Sequence, residues 1–462
     1  MHRHTAHQRT GRAAAALVAS TLVLTACSGQ ESAEDPSSGT SAAESPASSS
    51  GADESGAAPE SATSAESESA GSEPPGSGSS ESPESESEGS TSESPESESP
   101  SPDAASGPAS EDPDEAPAES FTVVTTGDML THFVLQERAD ALEPGPGFAF
   151  GGMLAEVAPL IEGADLAICG QETPLSADNT DLTASAGTFE FNAPRELATA
   201  MAEAGYDACN TASNHTWDKG LQGVKQTRAV LQDNGIEPVG PVPPGDGGPG
   251  HPVLLDAGDA QLGVLTYSYN TLNSLGVKSH PDLPWMDPHL YRGRQASGII
   301  EDARAAREAG ADVVMVGMHW GAEYQQQPTP EMREIARDVL ASGAVDAIAG
   351  AHAHVVQPCE TIDGRTVAYG MGNFLSEQGP NRYPATPAAT QDGVLLRWTF
   401  TPQQDDGEAS WSQELEYQPT FVTRPDFVIQ PTSASVNPRS FQRTVQAMTA
   451  LGDGACDATL LQ

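Results

Sequence analysis

The sequence has 462 residues and a formal net charge of −45, with 66 Asp and Glu against 21 Lys and Arg. So acidic a surface repels nucleic acid and anionic lipid headgroups and attracts divalent cations. The acids are unevenly spread: about 23 fall between Ser28 and Ser120, a stretch with no Lys or Arg, which leaves roughly 340 residues to build a folded core.

The first segment, 1–27, reads as a secretory signal. Arg3, Arg9 and Arg12 form a basic start, and a short apolar stretch from Ala13 leads to Leu24-Thr25-Ala26-Cys27. That stretch is too short and wrongly flanked for a permanent membrane span. Its ending resembles a bacterial lipobox, which implies that cleavage leaves Cys27 first and that its thiol carries lipid. The expected location is the outer face of the cell membrane, held there by the lipid on Cys27.

Residues 28–119 are Ser, Glu, Pro, Gly and Ala with imperfect repeats such as SESPESES, and no aromatic residue. Such a segment buries too little apolar surface to offset the entropy of ordering, so a disordered, charge-stretched tether is predicted. A flexible coil of this length spans roughly 55 Å, more with self-repulsion, enough to act as a spacer across a cell wall. A chain starting near Glu119 is therefore expected to melt with the full mature chain in calorimetry. A loss of several degrees on truncation would show that the segment packs on the domain.

Order is predicted from Phe121, where FTVVTT is a β-branched run ending in Gly127-Asp128. Strands are predicted at ADLAIC, YDACNT, QLGVLTYSY, ADVVMVGMH and AVDAIAGAH. Helices are predicted over Pro194–Gly205, Lys219–Asn234, Gly298–Ala309 and Pro330–Ala341, several of them stopped by Gly. GRTVAYGMGNF and GVLLRWTFT close the series without intervening helices and suggest the second sheet of a two-sheet sandwich. The alternation argues for a layered α/β domain over 120–424. The weakly patterned 425–462 is set apart as a C-terminal extension. Cys169 and Cys209 end apolar runs and read as small core residues. Cys359 and Cys456 lie in polar segments, where an oxidising exterior would allow a disulfide.

Polar residues recur where the apolar strands end, which is where open α/β sheets place their sites. They are Asp128 after FTVVTTG, and Glu172 after ADLAICGQ. Asn214-His215, with Asp218, follows YDACNTAS. His319 ends ADVVMVGMH, with Glu323-Tyr324 just beyond it. His352-Ala353-His354 follows AVDAIAGA. In an extended segment residues two apart point the same way, so both imidazoles of the last pair can face one site. An O/N set of this kind is what divalent transition metals accept.

The order of GDML, QETPL, NTASNHTWDKG, HWGAEY, GAHAHVVQP and YGMGNF resembles the calcineurin-like metallophosphoesterase superfamily. It resembles more closely that superfamily's CapA branch, the capsule and poly-γ-glutamate synthesis proteins. The resemblance covers roughly Phe121–Gln378. It implies a four-layer α/β/β/α sandwich with a site for one or two divalent ions across the ends of the two sheets. By the same resemblance Asp128 is a ligand of one ion and Glu172 takes the place of the bridging carboxylate. Asn214, His319 and His352 ligate the second ion, His354 the first, and His215 assists the leaving group, with Asp218 to orient it. Glu323, Tyr324 and Asn373 are read as pocket residues. Three departures stand out: the superfamily's His two residues after the first Asp is Leu130 here, with His132 four residues on as a substitute; Cys169-Gly170-Gln171 precedes Glu172 where relatives carry Asn-Leu; and the usual second-motif Asp is Glu172. A two-metal centre activates water and polarises a phosphoryl or carbonyl oxygen. The implied partner is an anionic cell-surface polymer, poly-γ-glutamate or capsule, beside a membrane synthase or exporter. No ATP-binding P-loop is present, so energy for polymer synthesis must come from another protein. Four roles remain open: a metal-dependent hydrolase acting on the polymer, a metal-dependent phosphoesterase with an unrelated cell-envelope substrate, a non-catalytic polymer-binding accessory protein, and a degenerate domain with no metal.

Overall fold

A computed structural model describes residues 119–183, 189–246, 251–273, 279–405 and 408–461. The expected signal peptide with Cys27, and all of the expected tether but Glu119, lie outside them.

The chain enters on β1 (Phe121–Leu130), α1 (Phe133–Leu142), α2 (Gly151–Leu154), α3 (Ala158–Ile161) and β2 (Leu166–Gln171). The short β3 (Leu175–Ser176) and β4 (Ala193–Pro194) pair with each other, and α4 (Glu196–Glu203), β5 (Ala208–Asn210), α5 (Gly220–Asp233) and β6 (Glu237–Val239) follow. The second half of the alternation is β7 (Val253–Ala257), β8 (Ala260–Ser268), α6 (Tyr291–Glu308), β9 (Val313–His319), α7 (Pro330–Ala341) and β10 (Ala347–Ala351). The remaining elements are β11 (Cys359–Ile362), β12 (Arg365–Ala368), β13 (Asn373–Ser376), β14 (Asp392–Asp405), β15 (Glu408–Val422), β16 (Ile429–Pro431), α8 (Pro438–Met448) and β17 (Thr459–Leu460).

Among the described residues these strands form two large sheets. The first runs β16-β15-β14-β1-β2-β5-β6, with β13 alongside β1 and β17 alongside β15; the second runs β11-β12-β10-β9-β8-β7. Alternate residues of the strands face opposite sides, and three cores result. Val124, Ala167 and Cys209 of the first sheet pack under Leu135 of α1, Leu197 of α4 and Leu231 of α5. Val123, Ile168 and Trp398 of the same sheet meet Val264, Met315 and Ala349 of the second. Val314 and Ile348 of the second sheet pack under Ile299 of α6 and Val339 of α7. Helix, sheet, sheet, helix is thus the order of layers, the four-layer α/β/β/α sandwich expected.

Local signals explain the element ends. Thr329 caps α7, its hydroxyl accepting the backbone N–H of Met332 at 3.2 Å, and Pro330 fills the first helical position. The helix α6 starts seven residues earlier than predicted, at Tyr291, because its first turn is separated by a kink at Gln295, whose φ is 58°.

Three expectations are corrected. The closing strands do not build the second sheet. β14 pairs antiparallel with β1, Phe121 opposite Phe400, and so extends the first sheet, while GRTVAYGMGNF divides into β12 in one sheet and β13 in the other. Cys169 and Cys209 are not free core thiols. They are register partners on the adjacent parallel strands β2 and β5, with Cα atoms 4.4 Å apart, and are joined in a disulfide. Finally, the weakly patterned tail carries structure: β16 and β17 pair with β15, and α8 packs on β14 and β15. Its inward face is Ser440, Thr444, Ala447 and Met448, with Arg439, Gln442 and Gln446 exposed on the other side. Asp392, buried at the start of β14, accepts from Ser440 at 2.7 Å and pairs with Arg443. A second disulfide, Cys359–Cys456, ties the tail to β11.

Candidate metal centre

The C-terminal ends of two parallel sets, β1-β2-β5 and β8-β9-β10, meet along one edge of the sandwich. Backbone packing brings them close. A Cβ on Gly127 would lie 2.0 Å from the Gly372 carbonyl oxygen, and one on Gly350 would lie 1.9 Å from that of Tyr369. Only glycine permits these contacts, and each sits one or two residues before a polar residue of the site. The backbone N–H of Asp128 donates to the Gly372 carbonyl at 3.1 Å.

Asp128, Glu172, Asn214, His215, His319, His352, His354 and Asn373 are all buried at this edge. Two sets share Glu172: Asp128, Glu172 and His354, and Glu172, His319 and His352, each with ligand atoms within 4.8 Å of one another. Glu323 extends the cluster through His352 and His354. His319 Nε2 and His354 Nε2 lie 3.8 and 3.7 Å from Glu172 Oε1, and His354 Nδ1 is 3.3 Å from Asp128 Oδ2. Asn214 Oδ1 sits 2.7 Å from His319 Nε2. Asn373 Oδ1 lies 3.0 Å from His354 Nδ1, and the His352 backbone N–H donates to Asp128 across 224 residues of sequence. Both residues of the His-Ala-His turn sit in the left-handed region, His352 at φ 87° and His354 at φ 55°, an uncommon backbone for non-glycine residues.

The electrostatics suit a divalent cation. Among the described residues Asp128 Oδ1, both oxygens of Glu172 and His352 Nδ1 are buried without a hydrogen-bond partner. Burial, then the Asp128 charge, pushes the Glu172 carboxyl well above the usual range. Burial and neighbouring imidazoles hold His319 and His352 well below theirs, hence neutral and able to ligate. Burial works against a charge on His354, but Glu172 and Asp128 outweigh it and push that pKa up to about 10. Buried carboxylates with bare oxygens beside the neutral imidazoles of His319 and His352 are costly alone and fit a divalent ion.

Beside this cluster, His215 Nδ1 lies 2.7 Å from Asp218 Oδ2, which also accepts the Phe191 backbone N–H at 2.7 Å. The carboxylate fixes the ring and leaves Nε2 free of that contact. His132 does not substitute for the absent first-motif histidine: it belongs to none of the ligand groups found among the described residues. Its ring packs edge-on against Phe191 at 4.7 Å, and Phe191 stands between it and His215. Burial and the nearby histidines push its pKa down to about 3. Tyr324 places its ring 6.1 Å from that of His354.

Two residues at the site escaped the sequence reading. Tyr269, just past β8, lays its ring 4.5 Å from that of His352; the strand-end rule that found His319 would have found it too. Phe191 comes from a loop with no local signal.

Residues 122–378 match the family of the bacterial capsule synthesis protein PGA_cap. The chain belongs to this family. PGA_cap relatives include the capsule biosynthesis protein CapA of Bacillus anthracis, 25% identical over 308 residues, covering 63% of this chain and 66% of that protein. The PGA biosynthesis protein CapA of Bacillus subtilis is 26% identical over 255 residues, covering 52% and 59%. A probable polyglutamine synthesis accessory protein of Mycobacterium tuberculosis, Rv0574c, is 25% identical over 181 residues, covering 37% and 45%. The chain thus spans less than two thirds of the length of these curated relatives. Among solved structures it is similar to the calcineurin-like phosphoesterase YfkN of Bacillus subtilis, at 14% identity and a TM-score of 0.39, covering 71% of this chain and 98% of that one.

Proposed function

We propose that this PGA_cap chain takes part in the synthesis, export or anchoring of an anionic cell-surface polymer, poly-γ-glutamate or capsule, and that the buried cluster is a divalent-metal site serving that role. The observation that carries the reading is the convergence of Asp128, Glu172, His319, His352 and His354, with bare carboxylate oxygens, inside the segment that matches the capsule family. A divalent ion held there would supply Lewis acidity toward a phosphoryl or carbonyl oxygen. Glu172, common to both ligand sets, would face two ions at once; Asp128 and His354 would hold one, and Asn214, His319 and His352 the other. His215, its Nδ1 fixed by Asp218, would deliver a proton to a leaving oxygen or nitrogen from Nε2. Glu323, Tyr324 and Tyr269 line the approach.

A strain deleted for this gene is expected to lose surface polymer and to regain it with the wild-type gene, but not with Glu172→Gln. Normal polymer in the deletion strain would overturn the assignment. One observation favours the non-catalytic reading, in which the domain holds polymer beside a membrane synthase: Leu130, fully buried and apolar, stands where the superfamily carries a histidine, and His132 does not replace it.

The anchoring proposal rests on Leu24-Thr25-Ala26-Cys27. Cys27→Ser is expected to release the protein from the membrane fraction and to abolish labelling by a palmitate analogue. Retention and labelling at wild-type levels would contradict it.

A further inference from the structure

On a chain of formal net charge −45, three arginines converge on one cavity outside the metal cluster. The cavity, of about 490 Å³, is lined among others by Val134, Arg138, Glu377, Arg382, Arg424 and Phe427. Arg424 lies over the Phe427 ring, 4.5 Å from its centroid, and donates to the carbonyl oxygens of Ser376, Glu377 and Gln378. Those acceptors are neutral, so its positive charge stands uncompensated by them. Arg138 pairs with Asp426, and its Nε is buried without a partner among the described residues. Arg382 keeps 42% of its side chain exposed and lies 4.0 Å from Glu377. Two carboxylates share the wall, that of the exposed Glu137 and that of Glu377. Glu377 is buried, its Oε2 accepts the N–H groups of Val134 and Leu135 at the start of α1, and its Oε1 accepts the Tyr383 hydroxyl at 2.7 Å. The wall thus presents guanidinium groups at Arg138, Arg382 and Arg424 beside the carboxylates of Glu137 and Glu377, and is apolar at Val134 and Phe427.

A short chain of hydrogen bonds leads from the residue after Glu377 to the metal cluster. Gln378, next to Glu377, accepts from Asn373 Nδ2 at 3.1 Å and donates to the Tyr324 hydroxyl at 3.5 Å, while Asn373 Oδ1 lies 3.0 Å from His354. Guanidinium forks bind carboxylates with charge-assisted hydrogen bonds, and apolar walls accept a short methylene stem.

We propose that this cavity is a carboxylate-binding subsite that grips a glutamyl unit of the polymer through Arg382 and Arg138, beside the metal centre. The inference rests on the polyglutamate reading above and adds where the polymer is held. The test is calorimetric binding of a γ-linked glutamate decamer, and of the same decamer with its free carboxylates amidated, to the full chain and its variants. Arg382→Gln is expected to weaken decamer binding about tenfold, and Arg138→Gln/Arg382→Gln further. The exposed Arg304→Gln on α6 should leave it unchanged, and the amidated decamer should bind weakly throughout. Melting temperature and metal content confirm that each variant is folded. Equal affinity in wild type and both pocket variants would overturn the subsite alone, as would an equal loss in Arg304→Gln. A wild-type chain that does not bind the decamer would overturn the polyglutamate reading and the subsite with it.

Discussion

Replacing His354 by Ala is expected to lower metal content and melting temperature together, while His215→Ala lowers neither and removes turnover. His354 belongs to two of the converging ligand groups and is fully enclosed. A bound ion stabilises the native state by linkage, about 2.7 kcal/mol at a hundredfold excess over Kd. Chelation of the wild type should reproduce much of the loss, and chelator should no longer shift the variant. His215 instead faces Asp218, and neither is needed to assemble the Asp128–Glu172–His354 set. Its loss should cost turnover roughly 10²–10⁴-fold, the range for a missing general acid. Elemental analysis, thermal melts and assays on an artificial phosphodiester and on γ-linked glutamate oligomers, with Mn²⁺, Zn²⁺ and Mg²⁺ in turn, separate the cases. If the metal-loaded wild type turns over nothing and His215→Ala still supports polymer production in cells, the accessory reading replaces the hydrolase.

Removing the Cys359–Cys456 bond is the second change with a large expected effect. It closes a loop of 97 residues, and the ideal entropic model assigns about 4–5 kcal/mol to such a loop, with less often realised. The tail has few other holds beyond α8. β17 is two residues long and exposed, and the Thr361 N–H donates to the Ala455 carbonyl at 2.7 Å. The Cys359→Ala/Cys456→Ala chain should therefore melt several degrees lower and be clipped by protease after Met448. The helix itself should stay docked through Asp392, Ser440 and Arg443. Identical melting and an intact tail would show that the bond contributes nothing to holding it.

The candidate site was legible because its residues follow β-branched, apolar strand runs, and the strand period and the strand-end rule act over a few neighbours. What escaped depended on partners far along the chain. That GVLLRWTFT lies beside FTVVTT rather than in the other sheet follows from pairing of Phe121 with Phe400, which no local pattern encodes. The Cys169–Cys209 bond was missed for the same reason. Each cysteine sits in an apolar run that suits a core thiol, and only the register of β2 against β5 makes them neighbours. α8 did carry a helical period, Arg439, Gln442 and Gln446 lying opposite Ser440, Thr444, Ala447 and Met448, and that signal was overlooked. Phe191, between His132 and His215, lies in a loop, where sequence carries least information about direction.

The hydrogen bond from His352 to Asp128 spans 224 residues, and that separation bears on how the protein is made. No fragment containing only the first sheet's leading strands, or only the second sheet, holds both Glu172 and the histidines that surround it. The sets around Glu172 close only through contacts of high sequence separation, which form slowly. An ion held at Glu172 would therefore be captured late in folding. A refolding experiment should accordingly show the same rate of tryptophan burial with and without the ion, with metal uptake trailing as a separate, later phase.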